Sequence, residues 1–270
     1  MSKFNLPKKD SNNLKKNIIL LDVDGTIANS GNIINETIAD LLNLLKNKKK
    51  FEIGIVGGGK YDKILYQLNN KIIPEHIFSE CGSIYHKLNK DDNTYDLIYK
   101  NNIRNFKFYK EINLLIKVFL NYLSTVDYIL TGNFVDLRDG LIYLSLIGMV
   151  ANQEERNTFI KLDMEKNYRS KVLKILQDKA IELGIEKEID ILIGGSVGIA
   201  IYPTKWNKVQ IIENKIINKN DYERIFYFGD KYKKDGNDYK ILNHSSVIGV
   251  RIDFLEDTIE ELTNIIYLEI

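Results

Sequence analysis

The chain has 270 residues, of which 44% are hydrophobic and 28% charged, a composition typical of a water-soluble globular protein. Its 38 Lys and Arg residues nearly balance its 37 Asp and Glu residues and are spread along the chain, which argues against nucleic acid as a partner. No stretch reaches the roughly 18 apolar residues of a membrane span, and the single cysteine, Cys81, excludes an intramolecular disulfide. We therefore predict a cytoplasmic protein without a membrane partner, with a flexible tail at residues 1–16.

The first predicted element is a strand at residues 18–21, where four branched or long apolar residues follow one another. Such a run is typical of a strand buried on both faces in a parallel sheet. Two carboxylates, a glycine and a hydroxyl follow it directly, in Asp22, Asp24, Gly25 and Thr26. Ligands bind beyond the carboxyl ends of the strands in open α/β sheets, so this turn is the first candidate site.

The next segments repeat the order of strand, loop and helix. The spacing of apolar residues predicts a helix over 35–46, a strand over 51–56, a helix over 61–68 and short strands over 77–79 and 83–87. This alternation favours a parallel sheet flanked by helices. The polar run at 88–93 is typical of a domain boundary.

The middle of the chain has a different pattern. Helices are predicted over 106–123, 153–165 and 169–183, and strands over 134–138, 141–147, 189–193 and 198–202. Asp139-Gly140 indicates a tight antiparallel hairpin between the first two of these strands. Strands with segregated helices favour an α+β arrangement, so we assign residues 92–203 to an inserted domain.

After Pro203 the first pattern returns. A helix is predicted to begin at 205–208, strands at 224–228 and 247–250, and a last helix over 255–266. We therefore predict a Rossmann-like α/β core, formed by residues 17–91 and 204–270, that carries an inserted α+β domain with an antiparallel sheet. Gly229-Asp230 ends one core strand and Asn237-Asp238 follow, which brings two more carboxylates toward the first candidate site.

These carboxylates predict phosphoryl transfer. Asp22 suits the nucleophile, because an aspartyl-phosphate divides one difficult displacement into two easier ones. Asp24 suits a general acid and base at the leaving oxygen. Clustered carboxylates repel one another unless a hard cation lies among them, so Asp22, Asp24, Asp230 and Asp238 predict a Mg²⁺ site. Lys208 is expected to hold Asp22 and the phosphate.

A competing hypothesis is a nucleotide triphosphatase. Residues 54–61 nearly spell a P-loop, but Tyr61 stands where the Mg²⁺-binding Ser or Thr belongs, and Gly54 falls inside the strand. The mismatch counts against a nucleotide triphosphatase.

Three motifs in this order resemble motifs one, three and four of the haloacid-dehalogenase-like phosphotransferases. They are Asp22-Val23-Asp24-Gly25-Thr26, then Lys208, then Gly229-Asp230 with Gly236-Asn237-Asp238. Further stretches resemble the eukaryotic-type phosphomannomutases over about residues 17–268, namely 78–80, 140–148, 153–156, 194–195, Trp206 with Lys208, and 227–231.

The resemblance implies an isomerase of GDP-mannose biosynthesis that interconverts mannose 6-phosphate and mannose 1-phosphate through an aspartyl-phosphate and a hexose bisphosphate. It also implies Mg²⁺ as the cofactor, a hexose 1,6-bisphosphate activator, and a homodimer joined through the inserted cap. The phosphate and substrate contacts that it implies are Gly25, Thr26, Gly58, Gly59, Arg138 and Asn237.

At some positions this sequence lacks the residue with which members of the family contact phosphate or substrate. These positions are Gly31, Gly59, Thr131, Tyr143, Met149, Gly198 and Ala200. Three of them replace arginines, whose guanidinium groups grip phosphate bidentately. A Mg²⁺-dependent phosphatase acting on another phosphomonoester and a non-catalytic homologue are therefore the alternative hypotheses.

Overall fold

The computed structural model describes residues 16–49, 51–234 and 236–268. They divide into two compact units, a core unit within Met1–Tyr99 and Lys208–Ile270 and an inserted unit at Lys100–Asn207. The predicted tail at 1–16 lies, apart from Lys16, outside the described residues.

The described residues form strands and helices throughout both units. The strands are β1 Lys16–Leu21, β2 Phe51–Val56, β3 His76–Ser79, β4 Ile84–Asn89, β5 Thr94–Lys100, β6 Val135–Leu137, β7 Ile142–Ser145, β8 Ile189–Gly194, β9 Gly198–Pro203, β10 Tyr222–Gly229 and β11 Ile248–Arg251. The helices are α1 Glu36–Lys49, α2 Tyr61–Leu68, α3 Tyr109–Leu123, α4 Gln153–Lys166, α5 Tyr168–Glu182, α6 Gln210–Glu213, α7 Tyr239–Leu242 and α8 Leu255–Leu268, and 3₁₀ turns lie at Glu80–Gly82, Ile103–Asn105 and Thr204–Trp206.

The core sheet has β1 in its interior, in the strand order β11-β10-β1-β2-β3-β4-β5. Strands β11, β10, β1, β2 and β3 run parallel, and β4 runs antiparallel to β3. Leu21 of β1 pairs with Phe228 of β10 and with Ile55 of β2. The segments that follow these three strands therefore leave the sheet side by side. This sheet confirms the predicted α/β core.

Strand β1 is buried on both faces, as its apolar run predicts. Ile19 and Leu21 belong to an apolar cluster that also contains residues of α1 and α8. Ile18 and Leu20 belong to a second cluster, with residues of α6 and α7. All four are fully buried, and each such side chain contributes about 1.5–3 kcal/mol of transfer free energy to folding. The strand that precedes Asp22 is thus firmly fixed.

The inserted unit contains a four-stranded sheet of order β6-β7-β9-β8, and all of its neighbouring strands are antiparallel. Strands β6 and β7 pair from Leu137 and Ile142 outward, which is the hairpin predicted at Asp139-Gly140. Residues of α3 and α5 join the inner face of this sheet in one apolar cluster. The antiparallel sheet confirms the predicted fold class.

The polar run at 88–93 lies inside the core unit, where it forms the end of β4 and a turn at residues 90–93. It connects β4 to β5, which is the edge strand of the core sheet. The Asp92 side chain accepts hydrogen bonds from the backbone N–H and the hydroxyl of Thr94, at 3.0 and 2.7 Å. The division between the units therefore lies at Lys100, later than the predicted boundary at residue 92.

The second predicted boundary and the helix predicted at 205–208 also differ from the structure. Residues Thr204–Trp206 form one 3₁₀ turn, and the first α-helical segment after it is α6, at Gln210–Glu213. Lys208 lies between them in a turn and is the first residue of the second core segment.

Candidate active site

The site lies at the carboxyl edge of the parallel strands in the core unit. Asp22 follows β1, Asp230 follows β10, and the loop 57–59 follows β2. The backbone N–H of Asp22 donates to the carbonyl of Phe228 at 2.9 Å, so β1 and β10 stay paired up to the site. Strand register thus sets the spacing of the first carboxylates.

A buried ammonium group links two of the acidic residues. Lys208 Nζ donates to Asp22 Oδ1 at 2.5 Å and to Asp238 Oδ1 at 2.8 Å. Lys208 and Asp238 are fully buried, and Asp22 is 6% exposed. One oxygen each of Asp22, Asp230 and Asp238 lies within 4.8 Å of the others. We call these three residues the carboxylate cluster.

Burial and charge shift the protonation of this cluster. Burial, together with the neighbouring Asp238 and Asp230, raises the pKa of Asp22 to about 7, although the Lys208 ammonium opposes the rise. Burial also raises the pKa of Asp230. Burial works to lower the pKa of Lys208, but the two carboxylates outweigh it and the pKa lies above its ordinary value. The two carboxylates therefore favour the charged form of Lys208.

Asp238 is held by groups from β10 and from the loop that follows it. Its Oδ1 accepts a hydrogen bond from the Tyr227 hydroxyl, and its Oδ2 accepts one from the backbone N–H of Lys231 at 3.0 Å. The ammonium group of Lys231 donates to Asp230. Burial, with Asp238 and Asp22 nearby, raises the pKa of Tyr227 well above its ordinary value. The protonated hydroxyl that donates to Asp238 is therefore favoured.

Asp24 lies outside the carboxylate cluster, although the sequence predicted it as a metal ligand. Its Oδ1 accepts from Gln67 Nε2 at 2.8 Å and from the backbone N–H of Gly31 at 2.9 Å. Its Oδ2 accepts from Lys63 Nζ at 2.7 Å. Burial works to raise the pKa of Asp24, but Lys63 and the other donors outweigh it and lower the pKa. With these donors on both oxygens, the Asp24 carboxylate is held in a position separate from the carboxylate cluster.

Gly25 fits the site because it lacks a side chain. Its φ is +90°, and a Cβ atom there would lie 2.5 Å from Asp230 Oδ2. Left-handed backbone of this kind favours glycine. Close approach of the turn to Asp230 therefore depends on this residue. The next residue, Thr26, is fully buried, and its carbonyl accepts a hydrogen bond from the Thr258 hydroxyl at 2.7 Å.

The predicted phosphate contacts Gly58 and Asn237 are neighbours in the structure. A Cβ atom at Gly58 would lie 3.9 Å from Asn237 Nδ2 and 3.8 Å from Cys81 Sγ. Cys81 and Glu80 both have left-handed backbone, with φ of 59° and 50°. The backbone N–H of Cys81 donates to the carbonyl of Gly57 and that of Glu80 to the carbonyl of Gly59, each at 3.0 Å. The strained turn thus fixes the glycine loop.

The donor set fits a hard divalent cation. Asp230 Oδ1 and Asn237 Oδ1 are buried oxygen atoms without a hydrogen-bond partner. Unpartnered buried oxygens are costly, and a cation held by carboxylate and amide oxygens would satisfy them. Among the described residues, Asp22, Asp230 and Asp238 form one group that could hold a metal ion, and Asp24 is not a member of it.

The candidate residues of the inserted unit form a separate set. Arg138 Nε donates to Asp136 Oδ2 at 2.8 Å, and its guanidinium carbon lies 5.4 Å from the centre of the Tyr143 ring. A Cβ atom at Gly198 would lie 2.6 Å from Tyr143 Cζ. Tyr143 therefore occupies space that a side chain at residue 198 would need. Among the other departures from the family pattern, Ala200 pairs with Tyr143 in the sheet.

Thr131 and Met149, two further departures, lie before β6 and after β7, in two segments that a bridge between Gly132 and Gly148 joins. The Thr131 hydroxyl donates to the Ile147 carbonyl at 2.9 Å, and the Met149 carbonyl accepts from Arg156 Nη2 at 2.9 Å. The Thr131 side chain and the Met149 backbone thus form hydrogen bonds within the inserted unit.

Sequence reasoning missed four polar residues of the site, namely Lys63, Gln67, Tyr227 and Lys231. A signal existed for the first two, because residues four apart lie on the same face of a helix, and both belong to α2 directly after the glycine loop. Tyr227 and Lys231 flank Gly229 and Asp230, but no spacing rule distinguishes them from ordinary strand and loop residues.

Comparison with known proteins places this geometry in context. Residues 38–268 match the family model described as eukaryotic phosphomannomutase. Phosphomannomutase 1 of Dictyostelium discoideum is 34% identical over 229 residues, which are 84% of this chain and 86% of the relative. The phosphomannomutase of Saccharomyces cerevisiae is 32% identical over 254 residues, which are 93% and 94% of the two chains. These matches confirm the resemblance that the motifs indicated.

A solved structure has a similar fold. The N-terminally truncated, IMP-bound IMP-nucleotidase of Plasmodium falciparum aligns with a TM-score of 0.62, covering 94% of this chain and 68% of that chain. The identity is 16%, so the likeness concerns the fold alone. No helix in the described part of the chain is long and apolar enough to cross a membrane.

Proposed function

Because the chain belongs to the eukaryotic phosphomannomutase family, we propose that its core site transfers the phosphoryl group of a hexose phosphate through Asp22. Its relatives are named phosphomannomutases, so the chain is a phosphoryl-transfer enzyme of the isomerase type. The observation that carries the proposal is the carboxylate cluster, in which Asp22 is held by the buried Lys208 ammonium.

Asp22 is the proposed nucleophile. Its oxygen attacks phosphorus while the bond between phosphorus and the sugar oxygen breaks, which leaves an aspartyl-phosphate. Lys208 orients the attacking carboxylate and offsets the negative charge that gathers around it. Mg²⁺, when bound by Asp22, Asp230 and Asp238, neutralises the phosphate oxygens.

Asp24 is the proposed general acid and base. In the first half-reaction it gives a proton to the sugar oxygen that leaves phosphorus. In the second half-reaction the free hydroxyl of a hexose monophosphate gives its proton to Asp24, and its oxygen attacks the aspartyl-phosphate, which releases Asp22 and forms the hexose bisphosphate. Asp24 therefore ends the cycle in the protonation state in which it began. Its partners keep this carboxylate apart from the metal-binding oxygens.

The proposed phosphate contacts are Gly25, Thr26, Gly58, Gly59 and Asn237. One feature supports them, since the Thr26 hydroxyl is buried and has no hydrogen-bond partner. A hydroxyl left in this way can donate to a phosphate oxygen at little cost in lost protein contacts. Arg138 of the inserted unit is proposed as a substrate contact on the basis of the family resemblance.

The proposed substrates are mannose 6-phosphate and mannose 1-phosphate, with a hexose 1,6-bisphosphate as activator. We further propose a cytoplasmic homodimer in GDP-mannose biosynthesis, in keeping with the family. A phosphatase of the same lineage is the alternative outcome, because Gly31, Thr131 and Met149 stand where the family has arginines.

One assay separates these outcomes. The protein is incubated with Mg²⁺ and mannose 1-phosphate, with and without a hexose 1,6-bisphosphate, and both mannose 6-phosphate and free phosphate are measured. We expect bisphosphate-dependent mannose 6-phosphate, whereas free phosphate alone would identify a phosphatase. Asp22→Asn is expected to abolish turnover, and the exposed Asp40→Asn to leave it unchanged. Turnover retained by Asp22→Asn would refute the assigned nucleophile.

A further inference from the structure

We infer that Lys63 and Gln67 form a latch that positions the Asp24 carboxylate for proton transfer. The inference rests on the proposed function, since it assigns positioning residues to that reaction. The Asp24 latch consists of Lys63 Nζ, Gln67 Nε2 and the backbone N–H of Gly31, and together they satisfy both carboxylate oxygens.

The latch is built on rigid structure. Lys63 and Gln67 lie four residues apart on α2, and Gln67 is 1% exposed. The side-chain amide of Gln67 also donates to the backbone carbonyl of Asn32 at 3.2 Å, and the backbone carbonyl of Gln67 accepts from the backbone N–H of Ile34 at 2.7 Å. Gln67 therefore ties α2 to the loop that follows Asp24. Its amide has a fixed direction before any ligand arrives.

Gly59 gives Lys63 its route to Asp24. A Cβ atom at Gly59 would lie 3.1 Å from Lys63 Cδ and 3.8 Å from its Cβ and Cγ. The aliphatic part of Lys63 therefore passes over the glycine, and its ammonium reaches Asp24 Oδ2 at 2.7 Å. Gly59, which departs from the family pattern, thus makes room for the lysine.

The latch acts on the proton step and not on phosphate binding. When Asp24 gives its proton to the leaving sugar oxygen, the carboxylate that results is received by Lys63 and Gln67. In the reverse direction the same donors hold the carboxylate still while it accepts a proton. Proton donation by a well-positioned acid speeds the step most when the leaving oxygen is strongly basic. A weakly basic leaving group gains little from it.

Leaving-group dependence tests this role. The rate of Asp22 phosphorylation is measured by rapid acid quench and mass spectrometry with two donors, mannose 1,6-bisphosphate and p-nitrophenyl phosphate. For Lys63→Met we expect a loss of about 10-fold or more with the sugar bisphosphate and less than about 3-fold with the aryl phosphate, whose leaving group needs no proton. Lys63→Arg should restore most of the rate with the bisphosphate.

Two controls separate positioning from structure. Lys71→Met removes a half-exposed lysine of the same unit, paired with Glu36 at 3.4 Å, and should change neither rate. In an Asp24→Asn background, Lys63→Met should have no further effect, because residues that act through one group are not additive.

Equal losses with both donors would make Lys63 a phosphate ligand or a structural residue, and would overturn the latch. Additive losses in the double variant would do the same. Wild-type protein that forms no phosphorylated Asp22 from either donor would instead overturn the proposed function, and the latch with it.

Discussion

Replacing Lys208 by methionine removes an ammonium group that is fully buried and bonded to two carboxylates, at 2.5 and 2.8 Å. Methionine is of similar length, so the change is mainly one of charge. Removing one partner of a buried ion pair costs about 3–5 kcal/mol, because the remaining charge is desolvated and unpaired. Asp22 and Asp238 both lose a partner here, so we expect the upper part of this range, about 4–5 kcal/mol. A typical domain has a free energy of unfolding of about 5–15 kcal/mol, so the loss is large.

The measurement is urea unfolding in buffer with a chelator, followed by far-UV circular dichroism and by fluorescence. The single tryptophan, Trp206, lies in the inserted unit, so its fluorescence separates that unit from the core. Added Mg²⁺ should stabilise the variant more than the wild type, because a cation at the cluster replaces the lost positive charge. Lys71→Met removes an exposed pair and should cost less than about 1 kcal/mol.

The reasoning fails if Lys208→Met lowers the free energy of unfolding by less than about 1 kcal/mol without metal, a value expected only of surface pairs. Such a result would mean that Asp22 and Asp238 do not depend on the ammonium group. The Lys208 ammonium group would then not be needed to stabilise the carboxylate cluster.

Three further predictions follow from the core unit. Gly25→Ala should cost about 1–3 kcal/mol of backbone strain and most of the turnover, measured by urea unfolding and the mutase assay, because its Cβ would displace a cluster carboxylate. The pKa of Glu52 is lowered, and the hydrogen bond with His76 is the largest cause. Other hydrogen-bond donors lower the pKa further, and burial opposes them. Its stabilising effect is therefore present above about pH 4.5 and is lost as the pH falls further, so Glu52→Gln should flatten the acid limb of stability against pH. Gly59→Ala should displace the Lys63 side chain, so the rate of Asp22 phosphorylation should fall more with mannose 1,6-bisphosphate than with p-nitrophenyl phosphate, as for Lys63→Met but to a smaller extent. Equal losses of rate with the two donors would contradict this prediction.

The sequence predicted most core elements because their local patterns agree with their final surroundings. The strand at 51–56 and the helix at 61–68 have the predicted bounds, since an apolar run and a helical period are separated by glycines. Asp22 and Asp230 were predicted to meet because both follow strands of one parallel sheet, and the structure brings them into one cluster.

Strand β5 could not be read from its residues. Most of its side chains are exposed, and Leu97 and Ile98 are 54% and 52% exposed, so no alternation of buried and exposed residues exists. The strand is held instead by distant contacts. The hydroxyl of Tyr95 donates to the Pro74 carbonyl at 2.8 Å, and the hydroxyl of Tyr99 donates to the Gly82 carbonyl at 2.5 Å.

The position of Asp24 was also beyond sequence reasoning. The motif places its carboxylate two residues from Asp22, which predicted a shared metal site. Donors from α2, 39 and 43 residues away, hold it elsewhere. Residue spacing along the chain predicts which side chains lie near a site. Hydrogen-bond donors that are distant in the sequence decide where each of those side chains points.

The pairing of β1 with β10 has a consequence for how the protein is made. Leu21 and its partner Phe228 belong to opposite ends of the chain, while the inserted unit at Lys100–Asn207 is continuous. At about 5–20 residues per second, a ribosome needs on the order of 10–40 s to add the roughly 200 residues between the two partners. One edge of β1 stays unpaired for that time, and the inserted unit is complete first. Translation must pass Asp238 before the carboxylates of the core can meet.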